Sequence, residues 1–469
     1  MMRWVAGTLP LLAVLTFAAV PSRPRIDPAG VPVELLLCGS GDQSAALDRF
    51  LETAGGAKAR LVVLTSGAEG VSGPLGERAK KVGAKIEVRP WRVAADGTFT
   101  PLGDVTGVWL AGKMDRVPPM FRKALESVRI VAASEPTADL LPDAMFGGEQ
   151  PGAYQVGYEL GDRAALNVQG RTLRVVGNGK ITIRINGTKT QKPRELVLTG
   201  KQEEDLTALR RSARDRAEEF PPARLGVPTV DKGTLIIVGG GGMPKGLIER
   251  FVEMAGGKEA KIVVLPTAMP DPLPKRDGIA ELFRKAGAKV TILPARDRVG
   301  VESKESIAAL REATGIWFGG GRQWRFVDAY EDTAVLPLMF DVLKRGGVIG
   351  GSSAGATIQG EYLARGGVFD NLAIRYEGYE RGLNFLPGVA IDQHFAQRKR
   401  FKDMETLMRT FPQYLGIGLD EATAIIVRGS VAKVTGRGQV HFYDAAVTGP
   451  VSLSEGATYN LKTRQQVMP

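Results

Sequence analysis

Cysteine and histidine are nearly absent from this chain, with one cysteine and two histidines in 469 residues. With Cys38 alone, an intrachain disulfide cannot form, and a zinc site drawn from cysteine and histidine is excluded, because such sites need about four ligands. The histidine shortage narrows the chemistry further. Any serine here that works with an imidazole base must use His394 or His441. Nothing in the composition calls for a metal or an organic cofactor. Runs of lysine and arginine and basic stripes interleaved with aromatics are also missing. The net charge of +11 therefore reads as a basic surface open to acidic partners, and no nucleic-acid footprint is expected. Beyond the N-terminus no apolar run reaches the roughly 20 residues of a spanning helix, so no membrane span is expected in the mature form.

With 43% apolar and 24% charged residues, the chain is long enough for two or more ordinary globular domains. The N-terminal stretch "MMRWVAGTLPLLAVLTFAAVPSRPR" places Arg3 before an apolar segment, then small residues and a polar, proline-containing exit. That is the layout of a secretory signal peptide over 1–25, and it implies a secreted or periplasmic protein.

The two halves carry the same landmarks in the same order. "VELLLCGSGDQSAALDRFLETAGGAKARLVVLTSG" answers "GTLIIVGGGGMPKGLIERFVEMAGGKEAKIVVLPTA", and "GVWLAG" answers "GIWFGG". Near the ends of the halves, "LNVQGRTLRVVGNGKITIRI" answers "AIIVRGSVAKVTGRGQVHFYD". Apolar runs such as "LIIVGG" read as buried parallel strands, and "PKGLIERFVEMAGG" reads as an amphipathic helix closed by glycine. Alternating strands and helices imply an α/β fold with parallel sheets covered by helices, while the final glycine-punctuated strands read as an antiparallel extension. The division this suggests is a first copy over 31–186, a helical linker over 187–231, a second copy over 232–447 and a tail over 448–469. The first copy is shorter and has "RIVAASEPTA" where the second has "GVIGGSSAGA", so Glu135 falls opposite Ser353. With no histidine in its half, it is expected to lack catalytic residues. One reading is that it stands where a dimer partner would, as a pseudo-dimer within one chain.

Gly351-Ser352-Ser353-Ala354-Gly355 fits G-x-S-x-G, a pattern with meaning between a strand and a helix. A serine on such a turn has a strained backbone that only small neighbours tolerate, and its hydroxyl stands near the helix's first amides. The glycines Gly319 to Gly321 follow a second buried strand, where backbone N–H groups can approach a substrate oxygen. "LPGVAIDQHFAQRKRFKDM" sets His394 at a strand end beside Asp392 and Gln393 and ahead of Arg398 and Arg400. His441, in an alternating strand, reads as structural.

Together, "GGGRQ", "GGSSAGA", "LPGVAIDQHFAQRKR" and "LGIGLDEATAIIV" resemble cyanophycinase and the wider S51 serine peptidases, over roughly 232 to 447. The resemblance implies a flavodoxin-like α/β fold related to class I glutamine amidotransferases, which the internal repeat extends to two tandem parallel-sheet domains, the first truncated and degenerate. It also implies hydrolysis beside an aspartyl residue, of a peptide or of a cyanophycin-like polymer with a poly-aspartate backbone and arginine branches. It assigns Ser353 as nucleophile and His394 as base. Asp370 matches the third triad member by spacing, with Glu377, Glu361 and the more distant Glu421 as alternatives. Amides around Gly320, Gly321 and Ala354 are expected to hold the oxyanion. Gln323, Asp392, Gln393, Arg398 and Arg400 are expected to contact the substrate. One departure stands out: Asp403 occupies a position where cyanophycinases usually carry arginine. The alternatives are a non-catalytic secreted binding or scaffold protein on this fold, and a general aspartyl or isoaspartyl peptidase.

Overall fold

In the computed structural model, residues 26–66, 72–92, 98–112, 118–134, 156–188, 191–274 and 277–468 are described. The signal-peptide segment and Glu135 lie outside them.

The N-terminal half begins with β1 (Val31–Cys38), β2 (Arg60–Thr65), β3 (Lys85–Pro90), β4 (Gly107–Ala111) and β5 (Ile130–Ser134). It continues with β6 (Val156–Leu160), β7 (Ala164–Gly170), β8 (Thr172–Gly177), β9 (Lys180–Ile185), β10 (Arg194–Thr199) and β11 (Glu203–Asp205). Its main sheet runs β3-β2-β4-β5-β1-β7-β8-β11. The first five of these strands are mutually parallel and β7 and β8 add antiparallel.

The C-terminal half opens with β12 (Val230–Val238), β13 (Lys261–Leu265), β14 (Lys289–Ile292), β15 (Gly315–Phe318) and β16 (Val348–Ser352). Then come β17 (Gly360–Leu363), β18 (Leu386–Gln393), β19 (Leu415–Leu419), β20 (Thr423–Gly429), β21 (Val431–Gly436) and β22 (Val440–Asp444). Three short strands close it: β23 (Val451–Leu453), β24 (Thr458–Asn460) and β25 (Gln465–Val467). The main sheet here runs β14-β13-β15-β16-β12-β20-β21-β24-β25, and a second sheet runs β17-β18-β19-β22-β23. Counted from the start of each half, the five parallel strands stand in the same order in both.

The apolar runs form strands buried on both faces. In β12, Leu235 and Ile237 enter one core while Ile236 and Val238 enter another. In β1, Leu35 and Leu37 face one core, and Leu36 and Cys38 the other. Each such side chain contributes about 1.5–3 kcal/mol on leaving water, and this two-sided burial is what forces a layer on either face. The helix Leu247–Met254 turns Leu247, Ile248, Phe251 and Val252 inward, as its spacing predicts.

Two stretches are more integrated than a linker and a tail. β10 pairs with β9 and β11 with β8, so the segment after 187 completes the sheets of the N-terminal half. The helix Leu206–Ala217 starts only after β11, with Asp205 as its N-cap. β23 pairs with β22, and β24 with β21, so the last residues extend both sheets of the C-terminal half. The physical reason is the same in each case: short polar strands can pair along a ready sheet edge without an apolar face of their own.

The helix Leu206–Ala217 also fastens the halves together. Arg211 is fully buried and paired with Asp328 and Glu331, and Arg214 bonds Glu331 at 2.8 Å. Arg171 reaches Asp205 at 2.7 Å and Asp328 at 2.6 Å. Asp328 belongs to the helix Trp324–Tyr330, which directly follows the glycines of 319–321.

Candidate active site

The strands β12, β15 and β16 end level, with Val238 beside Ser352 and Phe318 beside Gly351. In the second sheet β18 and β19 also end level, with Gln393 beside Leu419. The residues immediately after these five strand ends build one site, at the carboxyl edge where open α/β sheets place ligands.

Ser353 follows β16 and starts the short helix Ala354–Thr357. Its φ is +57° and its ψ −115°, a conformation that costs an L-residue on the order of 1–3 kcal/mol. The turn persists because its neighbours are small. A β-carbon on Gly355 would lie 2.1 Å from the carbonyl oxygen of Phe318. The Ser353 N–H donates to the carbonyl of Val238 at 3.0 Å, which ties the turn to β12.

The Ser353 Oγ lies 3.0 Å from His394 Nε2. His394 Nδ1 lies 2.6 Å from Glu421 Oε1. A carboxylate only accepts, so Nδ1 carries the proton and donates to Glu421, leaving Nε2 to accept from the serine hydroxyl. The imidazole pKa is held below its usual 6.5, first by burial and then by the positive charges of Arg398 and Arg400, while Glu421 pulls the other way. The ring is therefore neutral at pH 7, the form a general base requires.

Asp370 is not the carboxylate on His394. It sits in a loop, where its Oδ1 accepts from the N–H groups of Leu372 at 2.8 Å and Ala373 at 3.3 Å. Spacing from the serine suggested it, but an aspartate whose oxygen caps its own turn has a local partner and no need of the imidazole. Glu377 bonds Arg194, Ser212 and Arg216, and Glu361 accepts from the Gly388 N–H and Tyr414. Glu421 was only the distant alternative. It arrives because β19 delivers Asp420 and Glu421 beside β18, where Asp420 takes the N–H groups of Ala396 and Gln439.

No sequence motif marks the glycines after β12 as functional. The imidazole lies against Gly240, where a β-carbon would come within 2.4 Å of His394 Cε1, and a β-carbon on Gly241 would meet the Glu421 carboxyl, also at 2.4 Å. The Gly239 carbonyl accepts from the His394 N–H at 2.8 Å. Four glycines straight after a buried strand were the available signal, parallel to the triplet after β15.

Gly320 packs beside Ser353, its would-be β-carbon 3.5 Å from the serine Cβ. Among the described residues the N–H groups of Gly320, Gly321 and Ala354 donate to no protein acceptor.

The residues expected to meet the substrate divide. Asp392 is completely buried and Arg400 is 4% exposed. They pair with each other, and Arg365 adds a bond to Asp392 at 3.0 Å. A carboxylate taken out of water has to be neutralised this way, so neither side chain is open to a substrate. Gln323 is buried as well, its amide nitrogen donating to the carbonyls of Ala364 and Arg365. Gln393 reaches the edge of the site, its Oε1 3.5 Å from Ser353 Oγ. Arg398 is exposed. Asp403 takes a bond from Arg365 Nη2 at 2.6 Å, so its negative charge is already matched. His441 is buried between Ser452 and Asp420. The lone cysteine is no rival nucleophile, since burial pushes the Cys38 thiol up to about 12.

A hydroxyl on a strained strand-to-helix turn, in series with an imidazole and a carboxylate, belongs to the class of serine-type hydrolases. The model of peptidase family S51 matches residues 235–435. A cyanophycinase of Geminocystis herdmanii is 31% identical over 244 residues, which cover 47% of this chain and 90% of that protein. One of Synechococcus elongatus is 32% identical over 260 residues, covering 50% of this chain and 81% of that protein. The chain belongs to peptidase family S51. Among solved structures, a peptidase from an acI-B1 Actinobacterium aligns at 20% identity and a TM-score of 0.39, over 50% of this chain and 98% of the other.

Proposed function

We propose that the protein is an exported peptidase that hydrolyses aspartyl or β-aspartyl peptide bonds through Ser353, His394 and Glu421. The observation that carries this is the 3.0 Å contact between Ser353 Oγ and His394 Nε2. His394 takes the hydroxyl proton as Ser353 attacks the scissile carbonyl carbon. The negative oxygen that forms is held by the N–H groups of Gly320, Gly321 and Ala354. His394 then gives its proton to the leaving amine, and water releases the acyl group by the same route in reverse. Glu421 keeps the imidazole in its productive tautomer and balances its transient charge. Arg398, exposed beside the imidazole, is suited to a substrate carboxylate.

The relatives' name supports an arginine-bearing poly-aspartate substrate. The expected mismatch at Asp403 weighs less against it than the sequence suggested, because Arg365 already neutralises that carboxylate. Export is supported by the N-terminal sequence. That the N-terminal half is a copy without catalytic residues is supported by the shared strand order and by the lack of histidine there.

The test uses purified protein treated with a serine-directed fluorophosphonate, followed by mass analysis and by incubation with insoluble cyanophycin. Mass added at Ser353, together with release of β-Asp-Arg that Ser353→Ala abolishes, is the expected result. Labelling with cleavage of other isoaspartyl peptides only would select the general peptidase. No labelling and no cleavage would select the binding protein.

A further inference from the structure

His394 and Glu421 stand on two turns whose backbones are strained. His394 has φ +50°, and Ala422, directly after Glu421, has φ +53°. L-residues enter this left-handed region at a cost in free energy, and they stay there only where the surroundings over-determine the conformation. Backbone bonds supply part of that restraint. The Phe395 N–H donates to the Leu419 carbonyl at 3.0 Å, and the Ala422 N–H donates to the Gly240 carbonyl at 2.7 Å.

Two side chains add to it, and they do so reciprocally. From the glutamate turn, Asp420 Oδ1 accepts from the N–H of Ala396, two residues past His394, at 3.0 Å. From the histidine turn, Gln397 Oε1 accepts from the Glu421 N–H, also at 3.0 Å. Asp420 is buried and is itself held in place. Its Oδ2 accepts from the Gln439 N–H at 3.0 Å, and its Oδ1 lies 3.4 Å from His441 Nε2. Burial works against its charge, but the hydrogen bonds from His441, Gln439 and Ala396 prevail and hold its pKa below the ordinary value. Asp420 is therefore a carboxylate at pH 7, and a carboxylate binds backbone N–H groups more strongly than a neutral acceptor does. Ser452 anchors the other ring nitrogen of His441 at 2.8 Å, so the second histidine belongs to the frame around the first.

We infer that Asp420 is a positioning residue for the reaction, and that with Gln397 it clasps the two turns so that His394 Nδ1 stays on Glu421 while Nε2 stays on Ser353. The inference rests on the proposed role of those three residues. Asp420 and Gln397 act through the backbone, since the imidazole itself bonds Ser353 and Glu421. A reciprocal pair of side-chain-to-backbone bonds restrains the separation of the turns from both sides, which is how a reacting group is kept within a fraction of an ångström of its working place. Asparagine cannot replace Asp420 in this role. Both carboxylate oxygens accept from backbone N–H groups, so whichever way the amide turned, its own NH₂ would meet a donor.

The experiment reads the imidazole directly, by proton magnetic resonance of the full chain carrying isotope-labelled histidine. The chain has two histidines, and His394 is the one whose Nδ1 meets a carboxylate, at 2.6 Å. A proton so held resonates far downfield, and its loss in Glu421→Gln identifies it. Asp420→Asn should broaden or remove that signal and lower kcat by about 10²-fold, the cost of a displacement of roughly 1 Å, with KM within about threefold. Gln397→Ala, at an exposed position, covers the case in which the Asp420 variant does not fold. It should shift the same signal and lower kcat by about three- to tenfold, and that loss should vanish when Glu421 is already glutamine. A signal that neither substitution moves, or a Gln397→Ala loss that persists undiminished beside Glu421→Gln, would overturn the inference. The resonance is read without substrate, so a signal that responds as expected in a chain that cleaves nothing would count against the proposed function and leave the clasp standing.

Discussion

His394 has its two ring nitrogens committed to different partners, and the partner on Nδ1 decides which carboxylate matters. Replacing Glu421 by glutamine removes the charge that favours the imidazolium and permits the wrong tautomer. The imidazole pKa, already below 6.5 through burial and the nearby arginines, then falls further. The acid limb of the kcat/KM profile should move to lower pH, and kcat should drop by about 10²–10⁴-fold. Asp370→Asn keeps an oxygen for the Leu372 and Ala373 N–H groups and should leave kcat within about twofold, since it alters only a loop cap away from the reacting atoms. Steady-state rates on an aspartyl peptide across pH distinguish the two. An Asp370→Asn loss as large as that of Glu421→Gln would contradict the assignment. Ser353, His394 and the glycines were readable from the sequence because each sits at a strand end in an ordered motif. Glu421 was not, because counting along the chain cannot say which of several carboxylates will arrive at a ring nitrogen.

At the scale of elements, the site exists because three parallel strands of one sheet end level, two of the second sheet do the same, and each is followed by a tight loop. The loop after β12 contributes contour and no reactive group: Gly240, at φ +92°, lies where any side chain would enter the imidazole. Gly240→Ala should therefore leave the fold and Ser353 in place while displacing His394. A displacement of roughly 1 Å costs about 10²-fold in rate. Circular dichroism unchanged with kcat/KM down by about that factor is the expected result, and full activity would show that the ring has another resting place. The sequence marked the glycines after β15 as functional and passed over those after β12, since nothing local distinguishes a glycine that admits a substrate from one that admits a side chain of the same chain. The helix Leu206–Ala217 was legible as a helix, but its role as a fastening was not. Its arginines look like a solvated basic face until Asp328 and Glu331 are seen opposite them.

For the whole molecule, the seam between the halves carries a network of buried ion pairs, and this makes it sensitive to the loss of one partner. Asp328 accepts from Arg171, Arg211 and Tyr379. Asp328→Ala leaves the fully buried Arg211 with one carboxylate, Glu331, among its described partners and should destabilise the chain by about 3–5 kcal/mol. Chemical denaturation should show the lower midpoint, and activity should fall with it because the helix of Asp328 begins just after the glycines beside Ser353. A change under about 1 kcal/mol would mean that the pairs cancel their own desolvation.

The sequence by itself determined the alternation of strand and helix, the two-sided burial of the parallel strands, and the placing of a serine and a histidine at strand ends. These follow from local periodicity and from residue types that only certain backbones tolerate. Only the tertiary structure decided which carboxylate joins the histidine, that Asp392 and Arg400 face each other and not a ligand, and that the charged segment after 187 locks one half to the other. Those outcomes depend on distances between groups far apart in the chain, and burial makes each charge find its opposite wherever the fold brings one near.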